Sequence, residues 1–124
     1  MSEDQAPKPD KVRRPQQVFT LLVEVGRKED DGLPKGATGA ALLCFSTGVT
    51  EEEAVRECVA VLKLADMAPL DVTGYGTLDE RLQQGHEIGA DERALMDQAL
   101  AENAVIVVQV TPFFSDDDRA AALH

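Results

Sequence analysis

Two segments in the first half of the chain have the apolar patterns of β-strands. The first alternates with a period of two, and the second is an unbroken apolar run. Residues 17–25 would place Phe19, Leu21, Val23 and Val25 together on one purely apolar face. Residues 38–46 contain an unbroken apolar run at 40–45, which is typical of a strand in the interior of a sheet. Acidic residues, glycines and a proline separate the two segments, and they predict an antiparallel hairpin with a long loop.

A helical spacing follows the hairpin. Thr50 and Glu53 stand three residues apart, the spacing of a capping box, in which each side chain bonds to the other residue's backbone N–H. Apolar residues then recur at three- and four-residue spacing, which predicts an amphipathic helix; they are Ala54, Val55, Cys58, Val59, Leu62 and Ala65. Pro69 ends this helix, and residues 70–75 alternate like a third strand.

Two further helices are predicted after the third strand. Thr77 and Glu80 repeat the capping-box spacing and predict a short helix that stops at Gly85. Asp91 is the predicted N-cap of a longer helix that reaches about residue 102. The apolar residues of this helix predict its buried side; they are Leu95, Met96, Ala99 and Leu100.

The last predicted strand covers residues 104–111, and it is almost continuously β-branched. Such a run is typical of a strand that is buried on both faces or paired on both edges. Pro112 is expected to close it. Phe113 and Phe114 follow; they either fold back onto the core or stand exposed as an anchor for a partner.

The order strand, strand, helix, strand, helix, helix, strand predicts a single α+β domain at residues 17–114. We expect a two-layer sandwich, in which two main helices and one short helix pack largely on one face of a four-stranded mixed sheet. The other face would then lack a cover within the chain, although the second and fourth strands are too apolar to face water. The sequence therefore predicts self-association or docking on another protein.

Length, charge and composition limit the remaining choices. A chain of 124 residues has room for one core, and residues 1–16, rich in proline and charge, predict a disordered tail. Residues 115–124 predict an acidic C-terminal tail or a short helix. The net charge of −11 opposes binding to nucleic acid, and no apolar run approaches the ~18 residues that cross a membrane. We also find no secretory signal and expect a cytoplasmic protein.

The two cysteines predict buried free thiols in a reducing compartment. Cys44 lies in the second strand and Cys58 on the apolar side of the first helix. A disulfide between them is the alternative. Neither cysteine has zinc-finger spacing to a histidine, and the acidic runs lack the spacing of a calcium loop. We therefore expect neither a metal site nor a cofactor.

Few residues are candidates for a ligand site. Tyr75 ends the third strand between Gly74 and Gly76, and glycines let a ligand approach the backbone closely. His86 and Glu87 lie in the following loop and could act together as a base and its orienting carboxylate. The alternatives are a tyrosine that covers the edge of the core and an ordinary exposed loop histidine.

One stretch resembles a known family. Asp31-Gly32, an apolar strand, and then residues 46–54 (Ser-Thr-Gly-Val-Thr-Glu-Glu-Glu-Ala) resemble the beginning of HicB-like antitoxins, in which two strands lead through such a turn into the first helix. The resemblance covers about a third of the chain and stops at Pro69. It implies a small domain that binds a protein partner, but we do not identify the chain with that family.

The sequence contains none of four common catalytic motifs: the nucleophile turn, the zinc-protease motif, the Walker motif and the kinase signature. We therefore expect a non-enzymatic protein-interaction or self-association domain, whose partner is a second copy or another protein. The alternative is a small-ligand sensor with its site near Tyr75 and His86. A small enzyme that uses His86 is the third hypothesis.

Overall fold

A hairpin and two helical connections make up the fold of residues 15–115, the part of the chain that the computed structural model describes. The elements are, in chain order, β1 (Gln17–Val25), β2 (Gly39–Gly48), α1 (Glu51–Leu64), β3 (Pro69–Thr77), α2 (Leu78–Gln83), α3 (Ala90–Glu102) and β4 (Val105–Phe113). This order is the predicted one, and the α+β class is confirmed. The predictions for residues 1–16 and 115–124 fall almost wholly outside the described residues.

The sheet is antiparallel throughout, so the prediction of a mixed sheet is wrong. Its four strands lie in the order β3-β1-β2-β4, and each neighbouring pair is antiparallel. α1 connects β2 to β3, and these two strands run in the same direction. Because β1 lies between them, they are not neighbours. A helical connection that passes over one strand therefore leaves no parallel pair in the sheet.

Helices pack on both faces of the sheet, so the prediction of a two-layer sandwich with helices largely on one face is also wrong. Successive side chains of a strand point to opposite faces. On one face, which we call the α1 face, the apolar side of β1 and alternate residues of β2 pack against α1. The buried residues there are Phe19, Leu21, Val23, Val25, Ala40, Leu42, Cys44, Ala54, Cys58 and Leu62.

The opposite face, which we call the α3 face, carries a smaller core. Val18 of β1 and Phe45 of β2 pack there against Met96 and Ala99 of α3. Leu100 was predicted on the buried side of this helix, but it is 44% exposed. Because β2 lies between two helices, its apolar run is buried within the domain except at Leu43, which is half-buried. The uncovered face that the sequence predicted is therefore partly filled by α3.

The first two helices begin at the predicted threonines. The Glu53 backbone N–H donates to Thr50 Oγ1 at 3.2 Å, as in a capping box. The side chain of Glu53, however, accepts at Oε1 from the backbone N–H of Val49 at 2.8 Å, whereas a capping box would use the N–H of Thr50. The second capping box is complete. The Glu80 N–H donates to Thr77 Oγ1 at 3.2 Å, and the Thr77 N–H donates to Glu80 Oε1 at 2.8 Å. These bonds satisfy backbone donors that a helix start leaves unpaired.

The third helix begins without a side-chain cap. Gly89 occupies the N-cap position, and Asp91, the predicted cap, lies in the first turn, where its charge suits the positive end of the helix dipole. The helix ends at Asn103, whose backbone is left-handed with φ 50°. Thr47 Oγ1 lies 2.8 Å from Asn103 Oδ1, and this hydrogen bond joins the end of α3 to β2.

A buried carboxylate holds the long loop between β1 and β2. Asp31 accepts from the backbone N–H groups of Lys28 at 2.8 Å and Leu33 at 3.0 Å, and from Arg27 Nε at 3.0 Å. The same arginine also donates to the carbonyl of Ala37. The two backbone donors, followed by Arg27, lower the pKa of Asp31. This connection is therefore ordered by its own polar side chains.

Both cysteines are buried free thiols, as predicted. Cys44 and Cys58 meet in the core of the α1 face, where each is fully buried. Interaction with the neighbouring Cys58 thiol, together with burial, raises the pKa of Cys44, whose Sγ donates to the Leu42 carbonyl at 3.8 Å. A protonated thiol of this kind behaves as a small apolar side chain.

Candidate functional site

The structure brings Tyr75 and His86 together, although Tyr75 lies on a strand and His86 in a loop. Their ring centroids are 6.4 Å apart and the ring planes meet at 68°, an edge-to-face arrangement. Tyr75 is the extra residue of a bulge in β3, because Gly74 and Gly76 pair with consecutive residues of β1 while Tyr75 itself has no partner. Glu87 is exposed on the loop.

The two glycines beside Tyr75 have specific neighbours. Gly76 has a φ of 91°, which favours glycine, and a side chain there would also meet the carboxylate of Glu80. At Gly74 a side chain would collide with the carboxylate of Glu51. The nearest neighbours of these two glycines are therefore the acidic side chains of Glu51 and Glu80.

Arg81 organises this region, and the sequence did not single it out. Its Nε donates to His86 Nδ1 at 3.1 Å, and its Nη1 donates to Thr20 Oγ1 at 3.1 Å. The same Nη1 lies 3.5 Å from Glu92 Oε2. We call Thr20, Tyr75, Arg81, His86 and Glu92 the Arg81 cluster. It joins β1, β3, α2, the following loop and α3.

The Arg81 cluster is more enclosed than an ordinary surface ion pair. The side chain of Arg81 is 12% exposed, that of Glu92 is 31% exposed, and Thr20 is 1% exposed. His86 accepts through Nδ1, so the ring carries its proton on Nε2 in this arrangement. The group in contact with Nδ1 is the guanidinium of Arg81, whereas the hypothesis of a base with an orienting carboxylate would place Glu87 beside the ring. A ligand role for Tyr75, His86 and Glu87 stays a prediction.

Phe113 and Phe114 differ in burial, and a role for either as an anchor for a partner stays a prediction. Phe113 is 2% exposed and folds back onto the core, and its carbonyl accepts from Thr38 N at 2.7 Å. Phe114 is 54% exposed. The strand does not close at Pro112, because β4 continues to Phe113 with the proline inside it. An edge strand tolerates a proline in this way.

β4 forms an outer edge of the sheet, so the prediction of a strand buried on both faces or paired on both edges is wrong. Val107 is 39% exposed and Val110 is 44% exposed. A bulge at Val108 places these two valines on the same face, because Val107 pairs with Cys44 and Val110 with Leu42. No residue of β4 carries a charge. Within residues 15–115 no strand pairs with the outer side of β4. We call this strand, with that outer backbone side, the β4 edge.

The other outer strand differs in ways that discourage pairing. β3 begins at Pro69, carries Asp71, and departs from regular register at two places along β1. Prolines, charges and bulges are the usual means by which proteins protect a sheet edge. β4 also has a proline and a bulge, so the two edges differ in charge: β3 carries Asp71, whereas β4 carries no charged residue.

None of the three described helices is long and apolar enough to cross a membrane. Within residues 15–115 no group of three or more metal-ligating side chains lies close enough together to hold a metal ion. In comparisons with known proteins, neither a curated protein nor a solved structure matches the chain. One family model matches, and it spans residues 18–114, nearly the whole of the described fold. The chain therefore belongs to the family described as Domain of unknown function (DUF8846).

Proposed function

We propose that this domain is a non-enzymatic protein-interaction module that associates with itself. The β4 edge is the observation that carries the proposal. An unpaired strand presents a row of backbone N–H and C=O groups that a second strand can join. Over nine residues β4 has no charge to oppose such pairing, and Val107 and Val110 add exposed apolar surface.

The same strand limits how strong the association can be. Pro112 lacks a backbone donor near one end, and the bulge at Val108 interrupts the ladder near the middle. A strand of nine residues is about 30 Å long at ~3.4 Å per residue. We therefore expect a reversible, concentration-dependent assembly.

The effect of salt distinguishes self-association from binding to a basic protein partner. The chain carries a net charge of −11, so copies repel one another at long range, and added salt screens this repulsion. A basic partner would be attracted by the same charge, and salt would weaken its binding. Self-association is therefore expected to strengthen with ionic strength.

The test is native mass spectrometry together with sedimentation of the untagged chain over a range of protein and salt concentrations. The proposal expects a monomer in dilute low-salt buffer and an oligomer as protein and salt concentrations rise. A chain that stays monomeric at high concentration in both low and high salt contradicts it.

The Arg81 cluster favours a second candidate function, that of a small-ligand sensor. An enclosed guanidinium is a natural partner for a carboxylate or phosphate. Glu92 already lies beside Arg81, so an anionic ligand would have to replace that contact. Thermal unfolding with citrate or inorganic phosphate tests this candidate, with sodium chloride at equal ionic strength as the control. Stabilisation by the probe that Tyr75→Ala abolishes would support it. The same melting temperature in probe and control removes it.

The enzyme hypothesis rests on His86 alone. Nδ1 of its ring already accepts from Arg81, which leaves Nε2 for any transfer of a proton. An activity that His86→Ala leaves unchanged would remove His86 from that role.

A further inference from the structure

The two cysteines face each other in the core of the α1 face. Ser46, Cys44 and Leu42 lie two residues apart along β2, at a spacing of ~6.8 Å, and point to the same face of the sheet. The buried residues of α1 recur every four residues, at a spacing of ~6 Å. Because a short turn joins β2 to α1 and the two run in opposite directions, the two series match in three pairs, which are Ser46 with Ala54, Cys44 with Cys58, and Leu42 with Leu62.

A hydrogen bond fixes the first of these pairs. Ser46 is fully buried, and its Oγ donates to the backbone carbonyl of Ala54 at 2.8 Å. Because a serine side chain reaches the backbone of the helix, α1 lies close to β2 at this level. A disulfide needs a close approach of this kind, with the Cα atoms about 4.4–6.8 Å apart. The cysteines form the next pair along the two elements.

Each cysteine has the other as its neighbouring thiol. Both residues are free, and both are 0% exposed. The interaction of the two thiols in the core is the main cause of the raised pKa of Cys44. The chain contains no third cysteine. A thiol that becomes oxidised therefore has beside it the only other cysteine of the same chain.

We propose that Cys44 and Cys58 are a redox-sensitive pair, which a small disulfide oxidises to a bond between β2 and α1. The thiolate of one cysteine attacks a sulfur atom of the small disulfide, forms a mixed disulfide and releases one thiolate. The thiolate of the other cysteine then attacks the protein sulfur of the mixed disulfide, closes the Cys44–Cys58 bond and releases the second thiolate. The small disulfide is thereby reduced by two electrons, and the two cysteine protons end on the two released thiols.

The new bond would fasten α1 to β2, an inner strand of the sheet, and close a loop around residues 45–57. Closure of such a loop restricts the unfolded chain and stabilises the folded one. Because both thiols are buried, the oxidant reaches them when α1 opens locally from the sheet. The oxidised chain loses this opening, and reduction restores it. The reaction takes place within one chain and does not depend on the proposed self-association.

The test uses the full reduced chain, incubated under native conditions with hydroxyethyl disulfide and then alkylated. Trypsin cleaves after Lys35, Arg56 and Lys63, so the two cysteines fall in separate peptides, residues 36–56 and 57–63. The proposal expects these peptides to be joined within a single chain whose mass has fallen by two hydrogen atoms. The oxidised chain should melt about 5–10 °C higher than the reduced one, and dithiothreitol should remove the difference.

Cys44→Ala and Cys58→Ala are the matched controls, because each removes one thiol and keeps the other. Neither variant should show a rise in melting temperature with the oxidant, whereas the mass and melting measurements on the wild type need no variant. A native chain that keeps both thiols or stops at the mixed disulfide overturns the proposal, and the same treatment of the urea-unfolded chain shows that the reagent is active. A disulfide between two chains, or an oxidised chain that melts no higher than the reduced one, also overturns it.

Discussion

The contact between Arg81 and Thr20 leads to a prediction that a double-mutant cycle can measure. Thr20 is 1% exposed, and its hydroxyl accepts from Arg81 Nη1 at 3.1 Å. Arg81→Leu removes the donor and leaves a buried oxygen without it, whereas Thr20→Val removes the hydroxyl and keeps the shape of the side chain. Removing one partner of a buried hydrogen bond costs more than replacing both by apolar groups.

The magnitudes follow from these contacts. Loss of the buried donor in Arg81→Leu costs about 1–3 kcal/mol, and its partly exposed contact with Glu92 adds about 0–1 kcal/mol. Thr20→Val costs about 1 kcal/mol, because the guanidinium keeps His86 and Glu92. In the double variant no hydroxyl is left unpaired. It should therefore be about 1–2 kcal/mol more stable than the sum of the single changes predicts.

Urea unfolding, followed by far-ultraviolet circular dichroism, gives the free energy of unfolding of each protein in the cycle. The values are compared when all four proteins show the same dependence of that free energy on urea concentration. Arg93→Leu is the control, because Arg93 is an exposed arginine of α3, and its loss should change stability by less than about 0.5 kcal/mol. If the single changes add within about 0.5 kcal/mol, the Arg81–Thr20 bond is not coupled and the reasoning fails.

Three further predictions follow from single residues. Asp31→Asn should lower stability at neutral pH. Because the pKa of Asp31 is lowered in the folded state, the stability advantage of the wild type is complete above the ordinary carboxyl pKa of ~3.9 and disappears as the pH falls through the lowered value. Stabilities of the two proteins that depend on pH in the same way would contradict this prediction. Asn103→Ala should cost about 1 kcal/mol more than Asn103→Gly in urea unfolding, because φ is 50° there. Phe113→Ala should cost about 3–5 kcal/mol and Phe114→Ala less than about 1 kcal/mol; similar losses would show that exposure does not separate the two side chains.

The helices and strands could be predicted because their signals are local. Thr50 and Glu53, like Thr77 and Glu80, are three residues apart. The residues that specify the start of α1 and of α2 therefore lie within one turn of the helix. The order of the strands is not local in this sense. Whether β3 joins β1 or β2 depends on which strand α1 crosses, and no residue pattern within β3 specifies that choice. The mixed sheet was predicted for this reason.

The position of a strand within the sheet is equally hard to predict. The apolar run of β2 and the valines of β4 look alike in the sequence, yet β2 is central and β4 forms an edge. Hydrophobic periodicity reports which faces are apolar and does not report whether a neighbour lies alongside.

Arg81 was missed for a related reason. Thr20, its buried partner, lies 61 residues away along the chain. The residues that neighbour Arg81 in the sequence do not distinguish it from an arginine that is exposed to solvent. Tyr75 and His86 could be singled out because each has unusual neighbours in the sequence, and only the fold shows that they meet.

The position of β4 at the end of the described fold has a consequence for synthesis of the chain. As the polypeptide leaves the ribosome, β1, β2, α1 and β3 emerge first, and they can already form three adjacent strands. Until β4 emerges, the outer side of β2 has no partner, and β2 is the most buried strand of the finished sheet. A nascent chain, or one truncated after α3, therefore presents an aggregation-prone edge that the finished domain covers with its last strand.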